Sequence, residues 1–137
     1  MKIHSDYMTL QTKKAREFID ITPHVKSAME KSGIRDGVIL VSALHSNSAV
    51  FVNDDEPGLL DDVDEWLQKL APRRDDYKHG PKAESNASVH LQNLLLHHQV
   101  LVPISDGRLE LGPWQHVIYA ELDGMRPKRI LIKVMGA

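Results

Sequence analysis

The chain has 137 residues, with 17 Lys and Arg against 19 Asp and Glu for a formal net charge of −2, eight His and no Cys. That length supports a single domain, 1–137, with its own core, and the absence of Cys excludes a disulfide framework, a thiolate nucleophile and Cys-based zinc or iron–sulfur sites. Charges of both signs are interspersed, Met1–Asp6 lacks the features of a signal peptide, and no apolar run approaches the roughly 18 residues of a membrane span. The expectation is a soluble cytoplasmic protein that engages neither nucleic acid nor membrane.

Met8–Leu10 and Arg16–Ile21 carry β-leaning side chains around a polar Lys13-Lys14 turn and read as an opening antiparallel pair. Thr22-Pro23 supplies an N-cap followed by Pro at the first helical position, and the helix ends at Ser32-Gly33. Gly37–Leu44 is a near-continuous apolar run, a strand covered on both faces, with Ala49–Val52 as its expected partner. Leu59, Leu60, Val63, Trp66, Leu67 and Leu70 recur at helical spacing and predict an amphipathic helix stopped near Pro72. Arg73–Ser85 reads as a long surface loop, of the kind that is often functional. Asn86 is expected to cap a short helix through Leu95. Strands follow at Gln99–Ile104, Arg108–Leu111, Gln115–Leu122 and Arg129–Val134. Asp106-Gly107 joins the first two as a tight hairpin, because Gly accepts the positive φ such turns require. The second of them runs into a Gly112-Pro113-Trp114-Gln115 corner, and Asp123-Gly124 marks the last turn. The sum is an α+β fold: a mainly antiparallel β-sandwich-like core of about eight strands with about three helices.

Most of the histidines invite an ordinary reading: His97 and His98 end a helix, where imidazolium suits the helix dipole, and His4, His24 and His116 have no evident partner. His45, His79 and His90 sit at element boundaries that can converge at one rim. Three neutral imidazoles would fill three positions of a zinc-like site and leave a fourth open for water or substrate. Spacing alone leaves a shared metal site and separate, solvated or hydrogen-bonded histidines both open. Asn53-Asp54-Asp55-Glu56 precedes a helix, where acids are favoured; alternatively Asn53 or a neighbouring carboxylate faces the same pocket as an outer-shell partner or general base. Ser46-Asn47-Ser48 reads equally as a turn or as donors for an anion. No nucleophile elbow, Gly-rich dinucleotide loop or Walker loop is present.

Several blocks together resemble the YjbQ-like family of small proteins often labelled secondary thiamine-phosphate synthase. They are His45-Ser46-Asn47-Ser48-Ala49 leading to Asn53, Tyr77-Lys78-His79, Asn86-Ala87-Ser88-Val89-His90-Leu91, Pro103-Ile104-Ser105-Asp106-Gly107-Arg108-Leu109, Gly112-Pro113-Trp114-Gln115, and Glu121-Leu122-Asp123-Gly124 followed by Arg129. The resemblance implies an α+β trimer with a polar cleft near the subunit boundary, and it places His45, His79 and His90 on the family's histidines. It implies a transferase that joins a pyrimidine diphosphate to a thiazole phosphate. A divalent, zinc-like metal would be held by the three histidines, with magnesium accompanying a diphosphate substrate. Asp54, Gln115 and Arg129 become the catalytic candidates, with Arg129 as a phosphate fork, and Ser46, Asn47, Asn53 and Trp114 the ligand-binding ones. Trp114 reads equally as a core or interface aromatic. A metal-dependent hydrolase and a non-catalytic trimeric metal- or anion-binding protein fit the same residues. The chain departs from the family at Pro113 and Ser46, where Thr is usual, at Asp54 for Glu, and at Met125 for Pro. Pro113 removes a hydroxyl and a backbone donor from the signature corner.

Overall fold

Apolar residues alternate through Met8 and Leu10 and through Ile130, Ile132 and Val134, the period of strands with one face in a core. In the computed structural model, which describes residues 1–79 and 86–137, these segments lie in β1 (Lys2–Leu10) and β8 (Lys128–Gly136). The two pair antiparallel over their whole length, from Lys2 opposite Gly136 to Leu10 opposite Lys128. On the other edge of β8 runs β3 (Gly37–Ala43), then β5 (Gln99–Ser105) and the short β6 (Arg108–Leu109), giving a five-stranded sheet β1-β8-β3-β5-β6. A second sheet has β7 (His116–Glu121) between β2 (Glu17–Asp20) and β4 (Ser48–Asn53). All pairings are antiparallel. Among the described residues, eight strands and three helices, arranged as an α+β sandwich-like fold, match the sequence expectation.

The main core lies between the sheets. Ile39 and Val41 of β3, Ile130, Ile132 and Val134 of β8, and Val102 and Ile104 of β5 meet Val50, Val117 and Tyr119 from the smaller sheet. Helix α1 (Thr22–Ser32) adds Val25, Ala28 and Met29 to the same cluster. The outer face of the smaller sheet is covered by α2 (Pro57–Leu70) and α3 (Ala87–Leu96), where Ala49, Leu67, Ala120 and Leu122 form a second cluster with Val63 and Val89. No helix among the described residues is long and apolar enough to cross a membrane.

Two expected strand pairs do not form. β1 and β2 belong to different sheets, because the Gln11–Arg16 connection carries the chain across the sandwich, with Thr12 buried and its hydroxyl donated to the Lys14 carbonyl at 2.8 Å. A four-residue β2 cannot satisfy a nine-residue β1, whereas the equally long β8 can. β3 and β4 likewise separate: β3 pairs with β8 and β5, while β4 joins β7. β3 is also covered on one face only, since Ile39, Val41 and Ala43 are buried whereas Val38 and Leu40 stay half-exposed.

The helices form where expected, with different caps. Thr22 is the first helical residue of α1, and its hydroxyl accepts the Val117 N–H at 2.9 Å, while the Asp20 carboxylate accepts the Thr22 N–H at 2.9 Å. Gly33 closes α1 at φ 70°. Glu56 caps α2, accepting from Gly58 and Leu59 N–H at 2.9 and 2.7 Å. Asn86 occupies the cap position of α3 without a side-chain cap bond. Asp106 and Gly107, at φ 52° and 74°, make the expected hairpin turn. The expected loop 73–85 is irregular through residue 79, and its remaining residues, 80–85, lie outside the described residues.

Candidate functional site

Strand β4 divides the expected constellation into two groups. His45, Ser46 and Asn47 precede it, Asn53 ends it, Asp54 and Asp55 follow, and its register on β7 sets Ser48 opposite Glu121 and Asn53 opposite His116. Five strand steps between those ends amount to roughly 17 Å. Two poles result.

At the first pole, α3 and the segment after α2 bring His90 and His79 together, their rings edge to face with centroids 5.0 Å apart. Beside them, Tyr77, Lys78, Ala87 and Leu91 complete a pocket of about 360 Å³. The Tyr77 hydroxyl donates to the Pro72 carbonyl at 2.7 Å and its ring lies under the Arg74 guanidinium at 4.1 Å, which anchors this segment. His90 Nδ1 lies 3.2 Å from the Ser46 carbonyl. A carbonyl only accepts, so Nδ1 carries the proton and Nε2 keeps its lone pair, the orientation that a second partner gives a metal-ligating imidazole. His45 is fixed the opposite way: its Nε2 accepts the Arg129 N–H at 3.2 Å, which puts the proton on Nδ1. Its ring must turn before it can ligate. The three histidines therefore form a pair and a near neighbour, and they do not appear among the ligand sets whose atoms fall within 4.8 Å of one another.

Asn47 belongs to the fold at this pole. Its Oδ1 accepts from Lys128 Nζ at 3.0 Å and its Nδ2 donates to Asp123 at 3.3 Å. Lys128 is buried with Glu121 in an ion pair of 2.8 Å, and Tyr119 donates its hydroxyl to the same carboxylate at 2.8 Å. Burial and the Glu121 charge together push the Tyr119 phenol far above its usual range. Arg129, next along β8, points the other way: its exposed guanidinium lies over the Tyr7 ring at 4.7 Å, on the outer face of the larger sheet. Ser46 is exposed beside His45, which with Ser42, Asn93 and His98 lines a further cavity of about 500 Å³.

At the second pole, the Gly112–Gln115 corner is closed twice by Gln115, whose N–H donates to the Gly112 carbonyl at 3.0 Å and whose Oε1 accepts the Gly112 N–H at 2.8 Å. Trp114 projects from it, 73% exposed, so the plain core reading of this side chain does not hold within one chain. Asn53 is exposed and accepts the Asp54 N–H, and Asp54 is half-buried. Beside them lie Asp20, Asp55 and His116, the one trio of potential ligands among the described residues with atoms mutually within 4.8 Å. His116 Nδ1 is 2.9 Å from Asp20. Burial acts to raise the Asp20 carboxyl, but the Thr22 hydroxyl and N–H and then His116 outweigh it and hold the group below its usual value. The helix start and the hydrogen bond between them account for Asp20 and His116 without an ion.

Sequence reading missed this trio, and the signal was available only as strand order, because Asp20, His116 and Asp55 close the same end of the adjacent strands β2, β7 and β4. It also missed the Lys128–Glu121 pair, whose residues look solvated in a charged stretch until Tyr119 and Asn47 pack over them.

The model of the family described as "UPF0047 protein YjbQ-like" matches residues 6–137. A UPF0047 protein of Archaeoglobus fulgidus is 41% identical over 128 residues, covering 93% of this chain and 98% of that protein. One from Methanothermobacter thermautotrophicus is 39% identical over 136 residues, covering 99% and 94%. Among solved structures, a YbjQ-like protein of unknown function from Sulfolobus solfataricus superposes with a TM-score of 0.94 at 31% identity, covering 99% of both chains. A hypothetical protein from Aeropyrum pernix gives 0.91 at 29%, covering 97% and 98%. The chain belongs to the YjbQ-like family.

Proposed function

We propose that this YjbQ-like chain is a small-molecule enzyme of the secondary thiamine-phosphate synthase type, centred on His79 and His90. The observation that carries this reading is the paired imidazoles beside a 360 Å³ pocket, with His90 oriented by the Ser46 carbonyl so that Nε2 is available. The reaction joins a pyrimidine diphosphate to a thiazole phosphate: a bond forms to the thiazole as the bond to the diphosphate breaks and pyrophosphate leaves. Two imidazoles fit a divalent, zinc-like ion, and His45 supplies a third ligand after its ring turns away from the Arg129 N–H; magnesium would arrive with the diphosphate. Such an ion supplies charge stabilisation on phosphate oxygens. The chain's own part is to hold the rings, through Ser46 and the Tyr77 anchor, and to exclude water with Ala87 and Leu91.

The second pole enters this reading through a homotrimer. The outer face of the larger sheet leaves Ile3, Tyr7 and Leu101 exposed beside half-buried Leu40, an apolar surface suited to a second copy. A neighbouring subunit would bring Trp114, Gln115, Asn53 and Asp54 toward the His79–His90 pocket of the next, with Arg129 and its Tyr7 partner at the junction.

The experiment is elemental mass spectrometry of the purified protein, with light-scattering mass, beside pyrophosphate release from the two phosphorylated substrates. Near-stoichiometric metal, lost together with turnover in folded His79→Ala and His90→Ala variants of a trimer, supports the reading. Turnover of a single ester or phosphate in place of the two-substrate reaction assigns a hydrolase. Metal retained in those variants and lost in Asp55→Ala moves the centre to the second pole.

A further inference from the structure

Residues 44–47 carry the chain from the larger sheet to the smaller, and the peptide group in their middle joins the Ser46 carbonyl to the Asn47 N–H. That carbonyl lies 3.2 Å from His90 Nδ1. We propose that Lys128 is a positioning residue of the imidazole pair: through the Asn47 side chain it fixes this peptide, and so sets which nitrogen of His90 carries the proton. The inference rests on His90 as the centre of the proposed function, and it goes further by giving a buried ammonium group on β8 a part in that centre.

The turn does not hold its own shape. The bond that would close it, from the Ser48 N–H to the His45 carbonyl, is 3.4 Å long. Bonds to β8 hold it instead: the Leu44 N–H donates to the Arg129 carbonyl at 3.1 Å, the Arg129 N–H donates to His45 Nε2 at 3.2 Å, and Lys128 Nζ donates to Asn47 Oδ1 at 3.0 Å. From the α3 side, Asn93 Nδ2 donates to the Ser48 carbonyl. The Arg129 bonds act before Ser46 and the Asn93 bond acts after Asn47, whereas the Lys128 bond acts on the 46–47 peptide itself. A peptide group is planar, so its Cα at Asn47 and its carbonyl at Ser46 move together.

The anchor is rigid. Lys128 is 3% exposed, and its three ammonium protons go to Glu121 at 2.8 Å, Asn47 at 3.0 Å and the Asp123 carbonyl at 3.2 Å. Glu121 in turn accepts from the Tyr119 hydroxyl and the Asp123 N–H, and Asn47 is held at its other end by donating Nδ2 to Asp123 at 3.3 Å. A buried ion pair recovers little net stability after desolvation, so this network counts for the geometry it fixes. That geometry ends at His90. Because the Ser46 carbonyl belongs to the backbone and no substitution removes it, its side-chain anchor is the part of the device that mutation can reach.

The test is the tautomer of His90, read at about pH 8, above the ordinary imidazole range, from long-range nitrogen–proton correlation spectra of the full chain, with calorimetric titration of zinc beside it. The parent should show Nδ1–H. Asn47→Ala and the near-isosteric Asn47→Leu keep the Lys128–Glu121 pair, and should show the tautomer mixture of a solvated imidazole and bind zinc about tenfold more weakly or worse. Tyr119→Phe takes a hydroxyl from the same network but leaves the Lys128–Asn47 bond, and should keep the parent spectrum and affinity even as it lowers stability. An Nε2–H tautomer in the parent overturns the proposal. So does a parent-like spectrum or zinc affinity in folded Asn47→Ala and Asn47→Leu, or a tautomer change in Tyr119→Phe as large as theirs. The spectra need neither metal nor turnover, so a parent that shows Nδ1–H, loses it in the Asn47 variants and makes no thiamine phosphate sinks the proposed reaction and leaves this assignment standing.

Discussion

Replacing Lys128 with Met removes one ammonium group and keeps the aliphatic stem, which makes it a clean probe of the buried charge network. Lys128 Nζ donates to Glu121 at 2.8 Å, to Asn47 at 3.0 Å and to the Asp123 carbonyl at 3.2 Å, with both charged side chains essentially out of solvent. In the variant, the Glu121 carboxylate keeps only the Tyr119 hydroxyl and the Asp123 N–H, at 2.8 and 3.2 Å. Breaking a buried pair from one side costs about 3–5 kcal/mol, most of it the penalty of the stranded charge. At about 2.1 cal/mol/K of unfolding entropy per residue, a chain of this length loses roughly 10–17 °C of Tm. The double variant Lys128→Met, Glu121→Gln removes the stranded charge and should recover at least half of that loss. The assay is a double-mutant cycle by urea titration and calorimetry. A single-variant loss below about 1 kcal/mol, or a double variant as unstable as the sum of the singles, would refute the reasoning.

Gly37 lies at φ +155°, where a Cβ would stand 1.9 Å from the Met135 carbonyl oxygen, so Gly37→Ala should lower the urea midpoint sharply through β3 and β8 and leave little folded protein at 37 °C. Tyr119 has a raised folded value, so the folded state holds its proton more tightly than the unfolded chain does. Its share of stability is complete below the ordinary phenol value near 10 and is lost as pH rises above it; Tyr119→Phe should flatten the alkaline arm of Tm against pH. Asp20 has the opposite sign: its depressed folded value gives stability that is present above the ordinary carboxylate value near 4 and lost as pH falls below it. Asp20→Asn should therefore lower Tm at pH 7 and converge on the parent at about pH 2, and parallel curves at all pH values would contradict this.

The elements were legible and their partners were not. Helical spacing from Leu59 to Leu70 and the Asp106-Gly107 turn are local signals, and both appear where the sequence put them. The pairing of β3 and β4 is decided by what each strand can bury: Ile39 and Val41 need the facing sheet, and a four-residue connection at 44–47 is long enough to cross to it. Adjacency in sequence misled for that reason. The site followed the same rule. His79 and His90 meet because α3 returns along the smaller sheet, which residue spacing foreshadows only as two histidines at element boundaries. Thr22 and Asn86 look like caps, yet the Val117 N–H claims the Thr22 hydroxyl and the Asn86 side chain caps nothing, because a cap must compete with every donor the tertiary fold brings near.

The separation of the two poles leads to a last prediction. Within one chain, Asn53 and Trp114 stand at the far end of β4 and β7 from Ser46 and His90, so no hinge in the loops can bring them to the imidazole pair without dissolving the smaller sheet. If one reaction uses both poles, it uses two subunits. His90→Ala and Trp114→Ala should then each abolish turnover alone, while unfolding and refolding them together in equal amounts should restore it, since some shared sites draw a sound half from each partner. Random assembly makes about one site in four fully wild-type, so recovery to about a quarter of the parent rate is expected. Trp114 is largely exposed, so its removal leaves the core of each chain intact and the mixture foldable. Full turnover in Trp114→Ala alone would confine the chemistry to the imidazole pole and return the Gly112–Gln115 corner to a purely structural role, and mixtures that stay inactive although hybrid oligomers form would refute a site shared between subunits.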